Sequence, residues 1–169
     1  MIDLPALLSS ERISCGCDIR SKKRALQTVA ELLGESLRAD RTATDAEGTG
    51  ELEPSVSDMV ILDALITRER LGSTGIGHGI ALPHARLAHL DEPLAALITL
   101  ETGVDFESID GEPVDIVFGL LVPEHCNDEH LKILAELARR FGDERLRERL
   151  RACENGDDLL RELSAAPVG

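Results

Sequence analysis

Two stretches of the chain, Leu94 to Leu100 and Val114 to Val122, are short, aliphatic and largely uncharged, and each is bounded by turn residues. A strand with one face in water alternates polar and apolar side chains. These runs do not, so they are expected to be covered on both faces and to form the centre of a sheet. A sheet of this kind folds only if the same chain supplies helices to cover it.

Helical patterns are present on both sides of these runs. Ser21 precedes Lys22-Lys23-Arg24, after which Ala25/Leu26, Val29, Leu32/Leu33 and Leu37 recur at three-to-four spacing, the mark of a serine-capped amphipathic helix. Ser55 or Ser57 is placed to cap a second helix through Met59, Val60, Leu62, Leu65 and Ile66 to about Glu69, ending before Gly72. Asn127 and Asp128 open a third, with Leu131, Leu134, Leu137/Ala138 and Phe141 expected on its buried side. Shorter helices at Asp143 to Cys153 and Asp157 to Leu163 each begin with an acid, which complements the positive end of the helix dipole. The mixture indicates an α/β layer with helices packed on a sheet, and strand order does not follow from it.

At 169 residues the chain suits one domain with one core. Between Arg38 and Pro54 (RADRTATDAEGTGELEP) periodicity is lost and Gly, Thr, Asp and Glu collect, so 38–54 is expected to be a surface loop within that domain. Lys plus Arg number 18 against 32 acidic residues, a formal charge of -14 that repels phosphate backbones and anionic membrane surfaces. With three Phe and no Tyr or Trp there is little to stack on bases, so no nucleic-acid partner is expected. No apolar run approaches the roughly 18 residues of a membrane span, and Met1 to Ser10 lacks the basic flank of a signal peptide, so a cytoplasmic protein without membrane insertion is expected. Cys15, Cys17, Cys126 and Cys153 are scattered with no C-x-x-C pair, as suits free thiols in a reducing compartment rather than structural zinc.

The segment from Gly72 to Arg86 (GSTGIGHGIALPHAR) is unlike the rest, with four glycines, two hydroxyls, two histidines and an arginine in fifteen residues. Glycines let backbone N–H groups approach an anion, and hydroxyls and guanidinium add donors for phosphoryl oxygens. Nucleotide motifs fail here: there is no G-x-x-x-x-G-K-[ST], and the third glycine of the dinucleotide fingerprint is missing after Gly75-x-Gly77. Period two fits better, since Ile76, His78, Ile80, Leu82 and His84 alternate with Gly75, Gly77, Gly79, Ala81 and Pro83. The flat glycine side serves equally for close packing of another segment.

An imidazole of ordinary pKa is largely neutral at pH 7, so His84 offers a lone pair to an electrophile without a helper base, and Pro83 fixes the chain just before it. A straight strand would put His78 roughly 20 Å from His84, leaving His78 at the rim unless the glycines bend the chain. His130 falls in the first turn of the third helix. There the dipole disfavours imidazolium while Asp128 and Glu129 favour it, so the residues leave both its charge and its role, capping or catalysis, open. His89 and His125 read as surface residues.

The stretch Arg68-Glu69-x-x-Gly-Ser-Thr-Gly-Ile-Gly-x-Gly-Ile-Ala-x-Pro-His84 resembles the type-2 EIIA domains of the bacterial phosphotransferase system. The likeness extends upstream through Ser21-Lys-Lys-Arg-Ala-Leu and downstream through Val114-Asp-Ile-Val-Phe-Gly-Leu-Leu-Val-Pro123 and His130-Leu, spanning roughly residues 10 to 163 and leaving 1–9 and 164–169 as terminal segments. Within that family the chain is most similar to the nitrogen-regulatory branch. The resemblance implies a mixed sheet flanked by helices on both faces. It implies that His84 accepts a phosphoryl group from a general or nitrogen-type phosphohistidine carrier, with His130 and Arg68 contacting that group. Ser73 and Thr74 match hydroxyl positions of the same pocket, the backbone of Gly75, Gly77 and Gly79 would add donors, and His78 and Arg86 would stand at its rim. Ala85-Arg86 departs from the glycine and lysine or threonine of many relatives, and the 38–54 loop is longer than expected.

Exchange of one imidazole nitrogen for another on phosphorus needs no carboxylate base, metal or cofactor, only donors for the charge on the equatorial oxygens. Downstream partners implied by the resemblance are transporters or sensor kinases. Three alternatives stand beside this reading: a sugar-specific EIIA passing phosphate to a permease component, a binding module whose contacts ignore phosphorylation, and a thiol enzyme centred on Cys126 beside His125.

Overall fold

The computed structural model describes residues 4–45, 57–88, 90–125 and 128–165. A short helix α1 (Leu4–Leu7) and a 3-10 turn (Ser10–Arg12) lead into strand β1 (Ile13–Cys17), followed by the long helix α2 (Lys22–Asp45) and α3 (Asp58–Leu71). Three short strands follow, β2 (Gly75–Gly77), β3 (Ile80–Ala81) and β4 (His84–Leu87), then the two long ones, β5 (Leu94–Val104) and β6 (Val114–Pro123). Helices α4 (Asp128–Phe141), α5 (Glu144–Ala152) and α6 (Gly156–Ser164) complete the described chain. Among the described residues, no helix is long and apolar enough to cross a membrane.

The aliphatic runs at 94–100 and 114–122 are the central strands, and they pair antiparallel from Leu94↔Leu121 to Val104↔Val114. β1 joins β5 in parallel, and β3 and β4 both join the other edge of β6 in parallel. β3 takes Ile116 and Val117 while β4 takes Leu120 to Pro123, so the two lie end to end as one strand interrupted at Leu82-Pro83. Proline has no N–H to give a ladder, but its carbonyl still accepts from Leu120 N at 2.9 Å, which keeps the break short.

Both faces of this mixed sheet are covered. Ile80, Leu82, Leu97, Ile116, Phe118 and Leu120 pack with Leu137, Phe141, Leu146 and Leu159 of α4, α5 and α6. Ala81, Ala85, Ala96, Ile98, Val117 and Leu121 pack with Val29, Leu33, Ile61 and Leu65 of α2 and α3. The alternation along each strand assigns each residue to its layer. Gly119 marks the closest approach of α2, since a Cβ there would lie 2.3 Å from Val29 Cγ1. Gly119→Ala is therefore expected to cost about 1–3 kcal/mol through overpacking. It would be read as a lower urea midpoint at unchanged slope.

Three sequence expectations differ from the fold. The loop set at 38–54 begins later, because α2 continues through Asp45. Arg38 to Asp45 holds no Gly or Pro and includes Ala39 and Ala43, so propensity carries the helix on where apolar periodicity has ended; 46–54 lie outside the described residues. Leu131 is 65% exposed and Ala138 is exposed too; α4 buries the expected Leu137 and Phe141, half-buries Leu134, and adds His130 and Ile133 to that side. The Gly75–His84 stretch is a tight hairpin of β2 and β3 followed by β4, not one straight strand, because Gly77, His78 and Gly79 all take positive φ. Of the two capping serines considered, Ser57 caps α3 by accepting from Val60 N.

Candidate functional site

His84 opens β4, held by backbone pairing opposite Leu120 of β6, and Arg86 lies two residues on with its side chain on the same face. His130 sits in the first turn of α4, which packs on that face, and Arg68 reaches in from the last turn of α3. The His84 and His130 rings meet edge to face with centroids 5.0 Å apart. A hollow of about 480 Å³ is lined here by Thr67, Arg68, Leu71, His84, Arg86 and His130. Residues from α3, β4 and α4, distant in sequence, thus converge on one point.

The hydrogen bonds assign the protons. His84 Nδ1 lies 2.8 Å from the Leu82 carbonyl oxygen, which can only accept, so Nδ1 carries the hydrogen and Nε2 the lone pair. Arg68 Nε donates to that Nε2 at 3.3 Å, and Arg68 Nη1 donates to the Gly72 carbonyl at 2.8 Å. His130 Nδ1 accepts from Arg86 Nε at 3.4 Å, so its hydrogen is on Nε2. That Nε2 is buried and has no partner among the described residues. A buried donor left unpaired in a cluster of cations is a ready contact for an anion.

Both rings are held neutral. The pKa of His84 is lowered from 6.5, first by burial and then by Arg68 and Arg86, against the raising effects of the Leu82 carbonyl and Glu69. That of His130 is also lowered, by burial first and then by His84, Arg86 and Arg68, so the direction left open by sequence is downward. Protonation from neutral pH is thereby postponed. Any reaction using the His84 lone pair should keep its rate as pH falls to 6.5 and lose it only below, read as a kinetic midpoint under 6.5. The same shifts bear on stability: the unfolded chain binds more protons below pH 6.5 than the fold does. The stability the neutral rings contribute is present above 6.5 and is lost as pH falls through the folded-state values.

The structure does not bring the remaining expected residues to this hollow. Ser73 Oγ donates to the Phe106 carbonyl and accepts from Gly75 N, while Thr74 is buried against Glu69. A Cβ at Gly75 would strike Ser108, one at Gly77 would press on Asp110, and one at Gly79 would meet Arg151 and Asp115. His78 is exposed at the hairpin turn, its N–H on Asp110 Oδ2 at 2.8 Å and its carbonyl taking Arg151 Nη2 at 2.6 Å. The glycines therefore serve close packing on the segment from Phe106 to Asp115. Of the backbone donors expected from Gly75, Gly77 and Gly79, that of Gly75 is already given to Ser73 Oγ, and the His78 amide between the other two is given to Asp110. Arg86, expected at the rim, reaches His130 directly. The residue that sequence reasoning passed over is Glu69, whose signal was its place beside Arg68 in the Arg-Glu pair. His89, Cys126 and Asn127 lie outside the described residues, and Cys15, Cys17 and Cys153 are free, half-buried thiols.

Comparison with known proteins gives concordant results. The family model described as phosphoenolpyruvate-dependent sugar phosphotransferase system, EIIA 2, matches residues 6–166. A nitrogen regulatory protein of Pseudomonas aeruginosa is 36% identical over 161 residues, covering 95% of this chain and 94% of its own. One from Bradyrhizobium diazoefficiens is 37% identical over 162 residues, covering 96% and 95%. Among solved structures, nitrogen regulatory protein IIA-Ntr from Neisseria meningitidis superposes with a TM-score of 0.81 at 31% identity, covering 95% of this chain and 98% of that one.

Proposed function

Because the chain belongs to the phosphoenolpyruvate-dependent phosphotransferase system EIIA 2 family, we propose that it is a nitrogen-type EIIA that takes a phosphoryl group onto His84 Nε2 from a phosphohistidine carrier protein. One observation carries the choice of atom: Nδ1–H is committed to the Leu82 carbonyl, so Nε2 holds the lone pair and faces the cations. The pair on Nε2 forms the new bond to phosphorus as the carrier's N–P bond breaks, and the leaving electron pair returns to the carrier's ring. No base is needed. As Nε2 gives up its pair the ring gains positive charge, which the Leu82 carbonyl stabilises through Nδ1–H.

Arg68 Nε–H, which rests on Nε2, moves to an equatorial oxygen, and the unpaired His130 Nε2–H supplies a second donor. Arg86 keeps that hydrogen on Nε2 by donating to Nδ1. A phosphoryl group brings about two negative charges to a hollow that faces solvent, enough to change which transporter or sensor kinase docks there. The test is incubation with phosphoenolpyruvate, the first enzyme of the system and either the general or the nitrogen-type carrier, with mapping of acid-labile phosphate. Phosphate on His84, faster from the nitrogen-type carrier, is expected. Label on another residue sinks the assignment, and rapid onward transfer to a sugar-specific EIIB component would favour the metabolic role instead.

A further inference from the structure

Cations suit the last turn of a helix, where the backbone carbonyls leave partial negative charge, and Arg68 and Arg70 in the last turn of α3 follow that preference. Glu69 between them does not. Its side chain is only 6% exposed, so burial adds to the unfavourable dipole. Three donors offset the cost: Lys22 Nζ on Oε1 at 2.7 Å, Thr74 N on Oε1 at 3.1 Å and Thr74 Oγ1 on Oε2 at 2.5 Å. They tie the start of α2 and the approach to β2 onto the end of α3.

Between Glu69 and Thr74 lies the turn through Gly72 and Ser73. Gly72 N–H bonds the Glu69 carbonyl at 3.2 Å, and the Gly72 carbonyl is the acceptor for Arg68 Nη1. The guanidinium is therefore held at two points, the Gly72 carbonyl behind it and His84 Nε2 in front. We propose that Glu69 is a positioning residue: by clamping the 72–74 turn through Thr74 and Lys22 it fixes the Gly72 carbonyl and so aims Arg68 at the nucleophilic nitrogen of His84. The role rests on the reading of His84 as phosphoryl acceptor. Glu69 does not touch the transferred group, and a misplacement of about 1 Å in a donor that does costs on the order of 10²-fold in rate.

Glu69→Ala and Glu69→Gln separate geometry from charge. Both remove the negative charge that raises the His84 pKa, so both should lower that pKa equally in an NMR titration of the ring, which is also faced by Arg68, Arg86 and His130. Only the amide keeps the clamp. Single-turnover transfer from phosphorylated carrier is expected to fall about 10- to 100-fold in kcat for Glu69→Ala, with KM within about threefold, and to recover to within about fivefold in Glu69→Gln. Wild-type kcat in Glu69→Ala, or equal slowing in both variants, overturns the proposal. If Glu69→Ala does not fold, Thr74→Val cuts one arm of the clamp and should lower kcat roughly three- to tenfold at constant KM, with no change overturning it. Wild-type protein that takes no phosphate on His84 defeats the functional reading itself, a result distinct from all of these.

Discussion

His84→Ala is expected to acquire no acid-labile phosphate from a phosphorylated carrier, a loss on the order of 10³-fold or more in transfer rate. The side chain is half-buried at the start of β4 and makes no contribution to the sheet ladder, which runs through its backbone opposite Leu120. The variant should therefore fold, with an unchanged far-ultraviolet circular dichroism spectrum to prove it. The basis of the prediction is that no second imidazole lone pair faces the hollow among the described residues: His130 Nδ1 is turned to Arg86 and its Nε2 bears a hydrogen. Phosphate on a folded His84→Ala protein would overturn the assignment. His84→Gln should be equally inactive, because an amide nitrogen has no available pair.

The second large effect is on His130. Its Nε2–H is buried without a partner among the described residues, a state that costs stability in the resting protein and is relieved when an anion arrives. Loss of one such preorganised donor raises a barrier by about 2.7–4 kcal/mol, or 10²- to 10³-fold in rate. His130→Ala is accordingly expected to slow transfer by that factor while leaving KM for the carrier nearly unchanged. His130→Gln, whose amide N–H can occupy a similar position, should recover part of it. A purely structural His130, filling space beneath β4, would show the opposite pattern: destabilisation in urea with little change in kcat.

How much of this was legible in the residues depended on whether the interaction was local. The strands at 94–100 and 114–122 declared themselves by composition, and the serine caps and three-to-four spacings located α3 and the start of α2 within a few residues, while the end of α2 lay well beyond its apolar periodicity. His84 was marked by its own neighbours, since Pro83 constrains the chain just before it. The protonation of His130 was not legible, because it depends on Arg86 meeting a residue 44 positions away in sequence. The glycines left two readings open, anion donors or close packing, and the second could be chosen only when Ser108, Asp110 and Arg151 appeared against them. Leu131 followed the three-to-four pattern yet faces outward because His130 and Ile133 take the buried stripe. Glu69 stood in the sequence only beside Arg68 in the Arg-Glu pair, and its contacts with Thr74 and Lys22, on which the proposed clamp rests, appear only in the fold.

β4 lies against β6 in continuous register from His84↔Leu120 to Leu87↔Pro123, so the proposed nucleophile is mounted on backbone tied to a central strand of the sheet. Backbone anchored this way does not travel to meet a donor, and the carrier must bring phosphorus to within reach. By the same token, taking up the group should leave the main chain where it was. Downstream proteins would then tell the two forms apart by the altered electric field over a fixed relief, and not by any refolding of it.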